Sequence, residues 1–197
     1  MTLFLFVAYA ATLLFVVVDQ GIKIWILNNL QGQPERPFLK IGDFDWMHLH
    51  FIQNDGAAFS IFSGSKWFLI GISVLMSAVC LILMHKLCRR HRWLLFTMPL
   101  IAGGGLGNLY DRIFRDGLVV DYLDFQLYNF AIFNFADICV TIGVIIMAIC
   151  ILFVEKEEPA AKELRPMRHL TEKPVMPNAP MLPDAEQEKD AEELPDA

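Results

Sequence analysis

The run WLLFTMPLIAGGGLGNLYDR, Trp93–Arg112, decides how this chain is read. No residue from Trp93 to Tyr110 is charged, which is nearly the length a helix needs to cross a bilayer core of roughly 30 Å. The end of the run is polar. Asn108, Asp111 and Arg112 follow a glycine-rich stretch at i, i+3, i+4 spacing, which places them on one helical face. Two further segments repeat the theme: Val119-Val-Asp121, and Phe133-Asn-Phe-Ala-Asp137. A carboxylate at membrane depth is costly, so it is a functional-site candidate by default. Two carboxylates held together can share one proton and activate water. That chemistry points to a hydrolase.

Working outward, three more stretches carry no charge over about the same length: Thr2–Val18, Trp67–Met84 and Ile138–Val154. The whole chain has 197 residues, 55% of them hydrophobic and only 19% charged. A soluble domain is closer to a quarter charged, so a membrane protein is expected. The first stretch lacks a basic start and a small-x-small cleavage site, and is read as a retained span. The net charge of -6 resides wholly after Val154, where 12 acidic and 6 basic residues accompany seven of the ten prolines. Residues 155–197 therefore read as a disordered acidic tail, and residues 1–154 as the membrane domain.

The connection His85–Arg92 holds four Lys/Arg close to span ends and marks the cytoplasmic side. Basic residues after the last span agree. Both termini are then cytoplasmic, and the loops 28–66 and 111–130 face outward. The first of these is not a plain linker. Trp46–Gln53 alternates apolar and polar residues as a strand does, Asn54-Asp-Gly56 is a turn signal, and Ala57–Phe62 could return as a second strand. The fold class expected is membrane α-helical: four transmembrane helices with a small extracytoplasmic antiparallel β-sheet. Trp46, Trp67 and Tyr122 are candidate interface anchors.

With that topology the polar residues converge. Span one ends near Asp19 and Lys23, an i, i+4 pair. Span three ends at Asn108, Asp111 and Arg112, and span four begins at Asn134 and Asp137. Asn54 and Asp121 lie in the outer connections. Asp19–Lys23 reads first as a neutralising bridge. Arg112 could fix its neighbour Asp111 or position a substrate backbone. Asn134 reads as a supporting donor, and the glycines Gly103, Gly104, Gly105 and Gly107 as sites of close helix packing. Asp121 and Asp137 form the best catalytic pair, with Asp124 an open rival to Asp121 on spacing alone.

Other chemistry finds little support. Cys80, Cys88, Cys139 and Cys150 show no metal-ligand or Cys-x-x-Cys spacing. His48 and His50 could share one face of a strand, but no third ligand is visible nearby, so no zinc site is expected. The glycine run does not fit G-x-G-x-x-G, since Asn108 holds the last position; neither a nucleotide site nor a nucleic-acid partner is expected. No cofactor is required.

Taken in order, the motifs Asp19-x-x-x-Lys23, Asn54-x-Gly-Ala-Ala-Phe-Ser60, Gly103-Gly-Gly-Leu-Gly-Asn-x-x-Asp-Arg112, Val119-Val-Asp121 and Phe133-Asn-x-Ala-Asp137 closely resemble those of the bacterial lipoprotein signal peptidases, signal peptidase II. The resemblance spans residues from about 15 to 145. It implies four transmembrane helices, an outer β-cradle and a short outer helix. It implies an aspartic endopeptidase of the bacterial cytoplasmic (inner) membrane, acting at the extracytoplasmic face. Its substrates would be diacylglyceryl-modified prolipoproteins, cut before the lipidated cysteine, with membrane lipids as the surrounding partners. By resemblance the catalytic aspartates fall on Asp121 and Asp137. The supporting residues fall on Asp19, Lys23, Asn54, Asn108, Asp111, Arg112 and Asn134. The tail has no counterpart in the family pattern. A proton- or ion-coupled carrier is the competing class, because intramembrane Asp, Asn and Lys also build proton relays. A carrier would more often show internal repeats with its binding site at the midplane, and no repeat is evident. A scaffold whose aspartates only pair helices is the third reading.

Overall fold

A computed structural model describes residues 2–56, 62–87, 91–127 and 130–154. The expected returning strand at Ala57–Phe62 falls almost wholly outside them, as do Cys88 and the tail from residue 155. The elements are α1 (Thr2–Leu30), β1 (Arg36–Ile41), β2 (Phe44–Asn54), α2 (Lys66–Leu87), α3 (Leu94–Phe114), β3 (Val119–Phe125) and α4 (Phe135–Ile149). A π-helical turn, Cys150–Val154, continues α4.

Among the described residues, three helical segments are long and apolar enough to cross a membrane: Leu3–Leu30, Lys66–Leu87 and Phe135–Phe153. Their surfaces are inverted relative to a soluble protein. Phe6, Trp67 and Phe153 are each at least 69% exposed, as lipid-facing side chains would be. α3 has 21 residues but is the most polar of the four. It packs against α1, α2 and α4, so its composition answers to neighbouring helices rather than to lipid. The expected fourth span is thus a helix of the expected place and length, without the apolar character of the other three.

Glycines let α3 sit this close. A Cβ at Gly104 would overlap the carbonyl oxygen of Ala136 on α4, and one at Gly107 would meet Asp19 Oδ2 on α1 at 2.6 Å. Packing without side-chain spacers is the usual role of small residues between membrane helices. Two apolar clusters fill the remaining space. One joins Ala8, Cys80, Met84, Met98 and Ala102 across α1, α2 and α3. The other joins Ile26 and Leu30 to Leu49, Val120 and Leu123, fixing the sheet to α1.

The structure extends α1 past the expected end near Asp19 and Lys23. The helix runs on to Leu30, about 43 Å in all at 1.5 Å per residue, with Asp19 and Lys23 in its interior. The charges were read as a terminus because bare charges stop a span; here they are neutralised inside the bundle.

Among the described residues the sheet is three-stranded and antiparallel, in the order β1-β2-β3. β2 contains the expected Trp46–Gln53 strand. Its partners are β1, joined through a two-residue hairpin with Gly42 at φ +62°, and β3, which carries Asp121. No separate short helix occurs among the described residues of the connections after α1 and α3. Tyr122 is not an interface anchor: it is 3% exposed, and its hydroxyl accepts the Phe135 backbone N–H at 3.1 Å.

Candidate active site

Two carboxylates from different elements share one asparagine. β3 delivers Asp121, 3% exposed, and α4 delivers Asp137 from its first turn. Between them stands Asn134, the N-cap of α4. The local reason is a capping box: Asp137 N–H donates to Asn134 Oδ1 at 3.1 Å, and Asn134 N–H donates to Asp137 Oδ2 at 3.0 Å. The amide of Asn134 remains free to reach across. Its Nδ2 donates to Asp121 Oδ1 at 2.6 Å and to Asn108 Oδ1 at 3.1 Å.

Each carboxylate has a second donor. Asn54, at the end of β2, gives Nδ2 to Asp121 Oδ2 at 2.9 Å. Asn108 on α3 gives Nδ2 to Asp137 Oδ1 at 2.8 Å. Four elements therefore meet at the pair, and all four acceptor oxygens are held by neutral amide donors. Burial, then the charge of Asp137, raise the Asp121 carboxyl from 3.8 to about 6, against the amide bonds and Lys23. Asp121 thus keeps its proton into the mildly acidic range, well above an ordinary carboxylate.

Asp124 does not belong to this group. It lies three residues from Asp121 on β3, and an odd spacing along a strand turns side chains to opposite faces. Asp124 approaches His50 and accepts from Gln126 instead.

Behind the asparagines lies a fully buried ionic cluster. Lys23 Nζ is 2.9 Å from both Asp19 Oδ2 and Asp111 Oδ2, and donates to Asn108 Oδ1 at 2.8 Å. The Asp19–Lys23 bridge expected from i, i+4 spacing is present, and α3 enlarges it. Asp111 Oδ2 also accepts the Val120 N–H at 3.1 Å, which pins β3 next to Asp121. The positional logic runs from α1 through Lys23 to Asn108, and from Asp111 to the strand of Asp121.

Asp111 does not take Arg112 as its partner. Adjacent helical residues do not face each other. Asp111 pairs with Lys23 and with Arg115, one turn further on. Arg112 Nη2 donates to the Gly56 carbonyl at 2.9 Å and so holds the segment after Asn54 against α3. Gly56 N–H in turn donates to Asn54 Oδ1 at 2.9 Å, which orients the Asn54 amide.

Two participants were missed in the sequence. Gln20 contributes Nε2 to Asp111 Oδ1 at 3.0 Å and to the Gly107 carbonyl at 3.1 Å, and its Oε1 accepts from Arg115 at 3.0 Å. The Asp111–Arg115 spacing of four was the available signal for Arg115; Gln20 gave none beyond its place beside Asp19.

An open groove of about 540 Å³ runs between α1, the sheet and the start of α4. Ile22, Trp25, Phe38, Leu123, Phe135 and Ile138 help to line it, and the last two flank Asp137 in sequence. Asp137 and Asn108 are partly exposed, whereas Asp121 is buried.

Comparison with known proteins agrees with the motifs. The family model described as signal peptidase (SPase) II matches residues 11–153. The chain is 37% identical to a lipoprotein signal peptidase of Desulfitobacterium hafniense over 141 residues, 72% of this chain and 89% of that one. It is also 37% identical to one from Halothermothrix orenii, over 76% of this chain and 96% of that one. Two solved structures of a bacterial membrane enzyme superpose with a TM-score of 0.64 at 29% identity. They cover 74% and 75% of this chain, and 87% and 93% of their own lengths.

Proposed function

The chain belongs to the signal peptidase II family, multi-pass membrane proteases that remove signal peptides from prolipoproteins, and from that premise we propose that Asp121 and Asp137 carry out the cleavage. The observation that carries the proposal is the shared Asn134, which holds one oxygen of each carboxylate within 3.0 Å of its own nitrogens. Membership of a peptidase family leaves the carrier reading without support.

The roles follow from position. Asp137 lies in the first turn of α4, where the helix N-terminus favours a negative charge. It is the ionised partner and takes a proton from the attacking water. Asp121 holds the shared proton and donates a hydrogen bond to the scissile carbonyl. Attack forms the C–O bond and places negative charge on the former carbonyl oxygen. Collapse breaks the C–N bond, and the proton held by Asp137 passes to the leaving amine. The products are a free carboxyl on the signal peptide and a free amino group on the mature protein.

Asn54, Asn108 and Asn134 position the dyad, with Asp19, Lys23 and Asp111 holding Asn108 and β3, and Arg112 holding the turn at Gly56. The substrate is a diacylglyceryl-modified prolipoprotein cut before its lipidated cysteine. The apolar groove lined by Phe135 and Ile138 at the start of α4 suits such a substrate, since each buried CH₂ contributes about 0.8 kcal/mol. The enzyme sits in the bacterial cytoplasmic membrane with both termini inside and the sheet at the extracytoplasmic face. The basic residues of the α2–α3 connection support that orientation.

The test is cleavage of a diacylglyceryl-modified prolipoprotein in detergent with EDTA present, comparing wild type with Asp121→Asn and Asp137→Asn. Wild type should cleave, and both folded variants should be inactive. Turnover at the wild-type rate by either variant would refute the dyad.

A further inference from the structure

On the other face of β3 from the dyad lies a second group of titratable side chains. Glu35 immediately precedes β1, His50 lies on β2 and Asp124 on β3. His50 Nδ1 is 3.6 Å from Glu35 Oε2 and 3.7 Å from Asp124 Oδ2. The three ligand atoms all lie within 4.8 Å of one another. These gaps are too long for hydrogen bonds. They are close to the separation of roughly 3.3 Å between ligand atoms on a tetrahedral Zn²⁺ with bonds near 2.0 Å. We propose that Glu35, His50 Nδ1 and Asp124 form a divalent-cation site of the Zn²⁺ class, separate from the catalytic dyad.

A second observation points the same way. His48, on the same face of β2, has both ring nitrogens buried without a hydrogen-bond partner. Unsatisfied buried groups are costly. Its Nδ1 stands 3.7 Å from Glu35 Oε1, the oxygen not used toward His50, and its Nε2 stands 3.8 Å from Asp45 Oδ2. A cation that draws Glu35 inward leaves Oε1 as the acceptor His48 lacks. Metal-bound carboxylates are characteristically held by such outer hydrogen bonds. Asp124 already has one, from Gln126 Nε2 at 2.9 Å.

The donor set is one imidazole and two carboxylates, with room for water as a fourth ligand. It contains no thiolate, which favours Zn²⁺ or a similar first-row ion over Cu(I). Two carboxylates neutralise a dication. The topology gives the ion a purpose. β2 is the central strand, and its His50 is the ligand that faces both others. One ion would tie the approach to β1, the strand β2 and the strand β3 together. β3 is the strand that positions Asp121, so occupancy braces the sheet under the site without entering the chemistry.

The experiment uses full-length, tag-free protein in detergent, stripped with chelator and then titrated with Zn²⁺ alone. Equilibrium dialysis with elemental analysis should show one saturable site per chain, and the unfolding midpoint should rise on saturation. Glu35→Gln, His50→Gln and Asp124→Asn should each lose saturable binding and the rise together. His48→Gln should bind about tenfold more weakly. The ligands come from three different segments, so two folded variants decide the matter even if one misfolds. Absence of a saturable site in wild type would overturn the proposal. So would a site that persists unchanged in His50→Gln and Asp124→Asn.

Discussion

Asn134 Nδ2 donates to Asp121 Oδ1 at 2.6 Å, while the same residue caps α4. One side chain therefore does two separable things. Serine is as good an N-cap as asparagine but is too short to span to β3. Asn134→Ser should keep the unfolding midpoint near wild type and lower kcat by roughly 10- to 100-fold, since Asp121 loses its alignment. Asn134→Ala should lose the cap as well, at a further cost of about 1 kcal/mol. Full activity in a folded Asn134→Ser enzyme would show that the bridge is idle.

Lys23 is the hub of the buried ionic cluster, with Asp19 and Asp111 each at 2.9 Å and all three side chains fully buried. Removing one partner of a buried pair leaves an uncompensated charge, at about 3–5 kcal/mol. Lys23→Met should therefore lower the unfolding midpoint sharply. The double variant Lys23→Met/Asp19→Asn should recover part of the loss. If Lys23→Met alone matches wild type in thermal unfolding, the cluster is not what holds α1 to α3.

How far the sequence reveals this fold depends on what each residue must be compared with. α2 and α4 follow from uncharged stretches of bilayer length and β2 from alternation, while the convergence of the polar residues at one end of the bundle follows from the topology that the basic His85–Arg92 connection sets. The true length of α1 does not, because Asp19 and Lys23 are tolerable inside a span only once α3 supplies Asp111. β1 escapes the alternation test because Pro37 and Lys40 interrupt it; its signal was the Gly42-Asp43 hairpin. The choice between Asp121 and Asp124 rested on resemblance alone until the pleat of β3 separated their faces. The grouping of Glu35 with His50 and Asp124 depends entirely on strand pairing, which no spacing in the chain encodes.

The glycines of α3 differ in what they touch. A Cβ at Gly104 would collide with the Ala136 carbonyl and approach Val140 Cγ2 to 2.8 Å, both on α4. One at Gly105 would meet only Ser77 Oγ at 3.1 Å, a hydroxyl that can rotate away. Gly104→Ala should push α4 off α3 and draw Asp137 away from Asn108, lowering kcat/KM by roughly 10- to 100-fold. Gly105→Ala should stay close to wild type. Equal activity of the two variants would mean that close approach of α3 and α4 does not set the geometry of the dyad.

Proton occupancy of Asp121 gives two linked pH effects. Its carboxyl is raised from 3.8 to about 6 by burial and by Asp137. In its proposed role as donor to the scissile carbonyl it must be protonated, so kcat/KM should fall on the alkaline side with an apparent value near 6 that belongs to the coupled pair. The stability effect has the same direction. Between 3.8 and about 6 the folded chain binds more protons at this site than the unfolded chain does. Its contribution to stability is fully present below 3.8 and is lost as pH rises through about 6. Asp121→Asn cannot titrate. The midpoint of the variant minus that of wild type should therefore increase as pH is raised from about 4.5 to about 7.5, whatever fixed offset the lost acceptor causes. A difference that stays constant over that range would mean that Asp121 is ionised throughout. An activity profile that climbs through pH 6 instead of falling would assign the proton to Asp137 and the base to Asp121.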